Sequence, residues 1–411
     1  MKDKNLTNGP GAAQPSRAAR VTNAILAAFL LVTIFVFGYM TIKPNFDTLF
    51  ESARSYSRLK NYMPAEGYTF LEHTAARIRS LEDRFNEVLW KKDELGYMNS
   101  SVQYALGKDM INTGSSNMVT LETGALYDLP AYVDTSIQTA EIIAFAETLD
   151  VPFLYVFEHP TTYGENVPSG GYALLDNGTR LSDEIVAALR EGGLNVIDSR
   201  DVLKDEDVSR IIWKTDQHWT YYAALVMAGD VADALGLDSE LLDPSRFESL
   251  TLEKKFLGKY GQKVGPGNID PDDITVFWPE YDTCIERYTI LNGEESSAEG
   301  EFREAAIKWD YLNVEGWSIE AYKAYGLTED FEHYHNENAP SDMTILIYKD
   351  SFGSPVGAFM SLVAKDVYLV DMRKQEQYAP YFVEKYQPDA VVIAYSQQMV
   401  CGNEYDLLEG Y

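Results

Sequence analysis

The chain is poor in cysteine, histidine and positive charge, and each shortage narrows the function. Two cysteines, Cys284 and Cys401, in 411 residues match neither a disulfide scaffold nor a four-ligand zinc site, although they could pair outside the cell. Lysine and arginine number 34 against 64 aspartates and glutamates, a formal net charge of −30. Phosphate backbones are bound by clustered cations, so this balance argues against nucleic acid, and the dispersed acid reads as solubility. No repeat period and no chain-wide disorder signature is present.

What the chain does contain begins with one long apolar run. Val21 to Ile42, VTNAILAAFLLVTIFVFGYMTI, holds no charge, and as a helix it would reach roughly 33 Å, enough to cross the hydrocarbon of a bilayer. A cleaved secretory signal has only about 7–15 apolar residues before a small-residue cleavage site. The run is therefore expected to be a retained anchor. Lys2, Lys4, Arg17 and Arg20 precede it and only Lys43 follows closely, which places residues 1–20 in the cytoplasm and the remainder outside, as a single-pass cell-membrane protein.

Residues 43–107 read as a helical stalk, with Phe70, Ile78, Leu81, Phe85, Val88 and Leu89 forming an apolar stripe amid charge. From 108 to 411 apolar runs alternate with amphipathic helices, which is the pattern of a parallel sheet in a three-layer α/β/α domain. The expected strands begin with NMVTLETG near 117 and VPFLYVF at 151–157. They continue with LNVIDSR, TILIY at 344–348, VYLV at 367–370 and AVVIAY at 390–395. Between about 237 and 343 the alternation lapses into Gly-, Pro- and Tyr-rich sequence and the acidic LNGEESSAEGEF. This is read as an insertion, either one that shapes a substrate groove or a variable surface elaboration.

Two short segments carry chemistry. In IIWKTDQHWT, Asp216 precedes His218 by two residues and Thr220 is placed to cap a helix running from Tyr221 to about Leu235. In an extended segment residues i and i+2 point the same way, so the carboxylate could hold one imidazole nitrogen and leave the other to take a proton. The ordinary alternative is a histidine satisfied at a strand end. In TILIYKDSFGSPVGAF, Ser351 follows an apolar strand and precedes a helix starting near Pro355. That is where ligands bind in open parallel sheets and where hydrolases present a nucleophile, with the Ser351 N–H and a neighbouring amide facing a developing oxyanion. The ordinary alternative there is a helix-capping Asp-Ser turn.

Taken in order, TDQHW, FLGKYGQKVG, KDSFGSP, VYLVDMRK and PDAVVIAY resemble the DHHW family and its relatives, the alginate O-acetyltransferases, from about residue 65 onward. The resemblance implies an SGNH-hydrolase-like fold, permuted so that the Asp-x-His element precedes the serine. It also implies acyl transfer to hydroxyls of an envelope polysaccharide by Asp216, His218 and Ser351, with a membrane-bound O-acyltransferase as partner and acetyl supplier. Two positions depart from the family pattern: Lys349 stands where a GDS motif has glycine, and Gln217 where a second histidine is usual. Trp219 and Tyr260 are candidates to stack on sugar faces, or else core residues in the case of Trp219. Neither a cofactor nor a metal is called for. Carbohydrate esterase activity and a non-catalytic polysaccharide-binding role are the alternatives.

Overall fold

The computed structural model describes residues 17–52, 70–114, 116–159, 161–326, 329–402 and 405–410, in two compact units that divide between Leu95 and Gly96. The first sixteen residues of the expected cytoplasmic segment and stalk residues 53–69 lie outside the described residues, as does the Phe70 side chain.

In the first unit a helix spans Arg17–Ser52, and its Val21–Phe50 stretch, of mean hydropathy 2.5, is long and apolar enough to cross a membrane. Pro44 lies inside it, and Asn45 leaves helical geometry at φ −114°, ψ 15°. Proline has no N–H for the helical ladder and crowds the preceding turn. The Asn45 side-chain amide donates to the Thr41 carbonyl at 2.9 Å, occupying an acceptor at the kink. A second helix covers Phe70–Glu87. In it Ile78 and Leu81 of the expected apolar stripe remain exposed.

The second unit is built on an eight-stranded sheet. Its parallel half comprises β4 (Phe153–Glu158), β5 (Val196–Asp198), β11 (Thr344–Lys349), β12 (Asp366–Val370) and β13 (Ala390–Ser396), in the order β5-β4-β13-β11-β12. The centre falls to β13, the last strand in sequence, buried at all seven positions. This explains the unbroken apolar run there: a strand covered on both faces has no polar side to alternate. On one face Leu154, Val156, Ile345, Ile347 and Val392 pack with the Tyr221–Ala234 and Gly353–Met360 helices. On the other, Tyr155, Phe157, Leu346, Tyr348 and Ile393 pack with the Ser136–Glu147, Gly178–Glu191 and Ala379–Tyr386 helices. The three-layer α/β/α expectation holds.

Two strand assignments differ from the sequence reading. Residues near 117 form β2 (Asn117–Thr120) of a separate antiparallel sheet with β1 (Met110–Asn112) and β3 (Leu126–Asp128). The turn through Gly124, at φ 83°, returns the chain at once, and a tight reversal can only join antiparallel strands. The segment read as an insertion forms the antiparallel pair β6 (Phe247–Phe256) and β7 (Asp272–Pro279), then adds β8 (Ile285–Leu291), β9 (Glu294–Gly300) and β10 (Phe331–Asn336) antiparallel beyond β12. Asn292 and Gly293, both at positive φ (51° and 79°), make the two-residue β8–β9 turn, for which Asn-Gly is the favoured dipeptide. The acidic sequence read as part of the insertion contains β9, the sheet's outer strand, where charge discourages edge-to-edge pairing. Cys284 and Cys401 are both free.

His159, just past β4, is fully enclosed. Its Nδ1 lies 2.7 Å from Ser182 Oγ and its Nε2 2.9 Å from the Thr162 carbonyl, so a neutral ring with Nε2–H donating satisfies both. Burial, with the nearby Arg200 charge, lowers its pKa from 6.5 to about 4. Between those values the unfolded chain takes up a proton that the folded ring refuses, so the stability contribution is complete above pH 6.5 and is lost as pH falls toward 4. The full span amounts to about 3 kcal/mol. Urea unfolding of wild type is expected to weaken over this window relative to His159→Gln, whose difference from wild type should shrink as pH falls; parallel pH profiles would contradict the assignment.

Candidate active site

The site is assembled by two turns. The first lies between a short helix ending at Ile211 and the Tyr221–Ala234 helix, and is closed by an Ile212–Trp219 bridge and by Thr220 N–H donating to the Ile211 carbonyl at 2.9 Å. Thr220 caps the following helix, its hydroxyl accepting from Ala223 N–H at 3.3 Å. Inside this loop Asp216 and His218 meet through an Asx turn rather than an extended strand. Asp216 Oδ1 accepts from His218 N–H at 3.0 Å and also from His218 Nδ1, while Oδ2 accepts from Lys259 N–H at 2.7 Å. The second turn leaves β11 at its carboxyl end, between β12 and β13. There Ser351 Oγ lies 2.8 Å from His218 Nε2. All three side chains read from sequence are thus brought into one hydrogen-bonded line.

Burial by itself would raise the Asp216 carboxyl. The adjoining imidazole and the hydrogen bonds from His218 and from Lys259 N–H outweigh it, and its pKa is held below the ordinary value. An ionised carboxylate on Nδ1 selects the tautomer with Nε2 unprotonated, able to accept the Ser351 proton. The ring is held in place by Tyr322, stacked at 4.1 Å, and Phe352, tilted at 4.6 Å.

Around this line stand further residues that shape the two turns. Asp272 anchors the first turn, accepting from Lys214 N–H at 3.0 Å, Thr215 N–H at 2.8 Å and the Thr215 hydroxyl at 2.6 Å. Asp350 anchors the second, accepting from Phe352 N–H at 2.8 Å and Ser396 N–H at 2.9 Å. The Phe352 amide is therefore committed, and the neighbouring amide expected to join Ser351 N–H at an oxyanion is otherwise engaged. Gly353 lets the helix after Ser351 start against β13, since an added Cβ would come within 2.9 Å of Ala394 Cβ. The Lys349 side chain is fully buried, its ammonium donating to the Glu329 carbonyl at 3.2 Å in a pocket shared with Glu332. For Asp272 and Asp350 the signal in sequence was an Asp beside turn-forming residues.

Trp219 and Tyr260 are corrected. Their relative exposures are 1% and 2%. Trp219 Nε1–H donates to the Phe352 carbonyl at 3.2 Å and so ties the two turns together. Tyr260 packs with Ile111, Met118, Leu126 and Val264. Neither ring is placed where a sugar could lie on it.

This sheet and site define an SGNH-hydrolase-like α/β domain. A family model described as SGNH hydrolase-like domain, acetyltransferase AlgX, matches residues 159–274, a stretch that includes Asp216 and His218 and stops short of Ser351. Among solved structures, a DHHW family protein from Eubacterium siraeum is similar over 72% of this chain and 95% of its own, at 19% identity and TM-score 0.55. PatB1 from Bacillus cereus, solved with a sulfonyl adduct, is similar over 71% of this chain and 98% of its own, at 16% identity and TM-score 0.55. No curated protein sequence matches the chain.

Gly258, in the FLGKYG segment, has a structural duty. A Cβ there would fall 2.2 Å from Asp216 Cβ and 2.4 Å from Oδ2, in the space through which Lys259 N–H reaches the carboxylate. Gly258→Ala must therefore displace Asp216. It is expected to slow sulfonyl fluoride labelling of Ser351 by about 10²-fold, the usual consequence of a misplacement near 1 Å. Labelling at the wild-type rate would show that the Asp216 contact does not govern the histidine.

Proposed function

We propose that the protein is a serine-dependent acyltransferase that moves acetyl groups onto hydroxyls of a cell-envelope polysaccharide. The observation that carries this reading is the 2.8 Å approach of Ser351 Oγ to His218 Nε2, with Asp216 on the opposite ring nitrogen. In the first half-reaction His218 Nε2 takes the Ser351 proton as Oγ attacks the acetyl carbonyl. The donor's leaving group then departs with that proton, leaving acetyl-Ser351. In the second, His218 takes the proton of a sugar hydroxyl, whose oxygen attacks the acetyl carbonyl, and Ser351 recovers a proton as it leaves. Transfer to water in place of sugar would be esterase chemistry.

The family description matched at residues 159–274, an SGNH hydrolase-like acetyltransferase domain, supports acetyl transfer, and a polysaccharide acceptor is what the resemblance to the alginate O-acetyltransferases implies. A cleft of about 830 Å³ lies beside the first turn, lined by Trp213, Lys214, Thr220 and Tyr222 together with Ser249, Thr251 and Thr275 of β6 and β7, and none of Asp216, His218 and Ser351 is among its lining residues. The apolar Val21–Phe50 helix suits a membrane anchor with the enzyme on the outer side, so activated acetyl has to be delivered across the membrane. A membrane-bound O-acyltransferase is the partner that would do this.

In the detergent-solubilised full chain, Ser351→Ala and His218→Ala are each expected to reduce turnover of p-nitrophenyl acetate by roughly 10³-fold or more, and the double variant should be little worse than either. Asp216→Asn should cost as much or somewhat less, with folding preserved by circular dichroism. Activity of Ser351→Ala within a few-fold of wild type would overturn the nucleophile. For topology, protease added to intact cells should digest the region after Lys43 and spare a tag on Met1; the reverse pattern would refute it.

A further inference from the structure

A second cluster of ligating side chains lies at the other end of the sheet. Ser351 follows the carboxyl end of β11, whereas Asp366 pairs with Thr344 at that strand's beginning. Alternation along β10 puts His333 and His335 on one face. In the antiparallel registers, His335 stands opposite Asp366 of β12 and Glu286 of β8, and His333 opposite Tyr368 and Tyr288.

Asp366 Oδ1 lies 2.8 Å from His333 Nε2 and 2.8 Å from His335 Nδ1. The three donor atoms are all within 4.8 Å of one another. Ligands held about 2.0–2.2 Å from a tetrahedral zinc ion are separated by roughly 3.3–3.6 Å. Lengthening the two Asp366 contacts by about half an ångström would bring them to that separation, and the two imidazole nitrogens already lie within 4.8 Å of each other. Both rings are already positioned. His333 stacks on Tyr368 at 4.2 Å and 8° between planes, and Tyr368 stacks in turn on Tyr386 at 4.1 Å. His335 directs its other nitrogen, Nε2, to Glu337 Oε1 at 3.0 Å. A carboxylate on the outer nitrogen of a ligating imidazole is the usual orienting contact of metal-bound histidine. The three residues are partly exposed, and a cleft of about 560 Å³ whose lining includes Glu286, Arg287, Glu299, His333 and His335 gives an ion access.

We propose that His333 Nε2, His335 Nδ1 and the Asp366 carboxylate bind one zinc-class divalent cation, with water at the fourth position and Glu337 orienting His335. Two imidazoles with one carboxylate favour a borderline transition ion over Ca²⁺ or Mg²⁺, which prefer all-oxygen shells. The ion would clasp β10 to β12, the seam where the antiparallel strands join the parallel half. The sequence reading called for no metal, because a His-x-His pair becomes a site only when Asp366, some thirty residues on, is paired beside it.

The test uses the full chain in detergent, stripped with chelator and then titrated with ZnCl₂ or CoCl₂. One equivalent of Zn²⁺ should bind and raise the thermal midpoint, Co²⁺ should give the intense visible absorption of a four-coordinate complex, and Ca²⁺ and Mg²⁺ should do neither. His333→Ala and Asp366→Asn should abolish binding, and Glu337→Gln should weaken it about 10–100-fold. Absence of zinc binding in the wild type would overturn the site, and so would undiminished binding in Asp366→Asn. If the substitutions prevent folding, the wild-type Co²⁺ spectrum decides: an octahedral, weakly absorbing complex refutes the proposal.

Discussion

The candidate active site depends on one buried carboxylate. Asp216 takes three hydrogen bonds through its two oxygens, from the His218 backbone, the His218 ring and Lys259 N–H. A charge at 3% exposure persists only when such partners replace water. That requirement reaches outward. Lys259 N–H can approach only because residue 258 has no side chain, and the first turn keeps its path because Asp272 collects its free amides. The imidazole then has one orientation, and its remaining nitrogen faces Ser351.

The sheet supplies the second half of the arrangement. Placing β13 last in sequence but central in space leaves the carboxyl ends of β4, β13 and β11 open beside one another, and Asp350 fastens the serine turn to the end of β13 through Ser396 N–H. The antiparallel strands β10, β8 and β9 do not take part in that crevice. They widen the sheet on the other side of β12 and bring histidines and carboxylates together at its far end. One sheet thus presents two chemically different ends: a serine hydroxyl 2.8 Å from a histidine nitrogen at one, a ring of potential cation ligands at the other. Lys349 belongs to neither, its ammonium taken up by the Glu329 carbonyl.

Much was determined by sequence alone, because some signals are local. An uncharged run long enough for a bilayer, apolar strands without alternation, a threonine ahead of a helix and a serine between strand and helix are all properties of neighbouring residues. They sufficed for the three-layer fold and for Asp216, His218 and Ser351 as the residues to examine. Asn292–Gly293 was an equally local hairpin signal, left unread inside a segment read as an insertion. Tertiary structure alone decided the rest: that Trp219 and Tyr260 are interior, that Gly258 makes room for a carboxylate, that the Phe352 amide is occupied, and that His333, His335 and Asp366 converge. Each of these turns on the distance between atoms whose residues are remote in the chain. A side chain's chemistry is written in its own letter, but its burial and its partners are set by strand order and register, which no single segment carries.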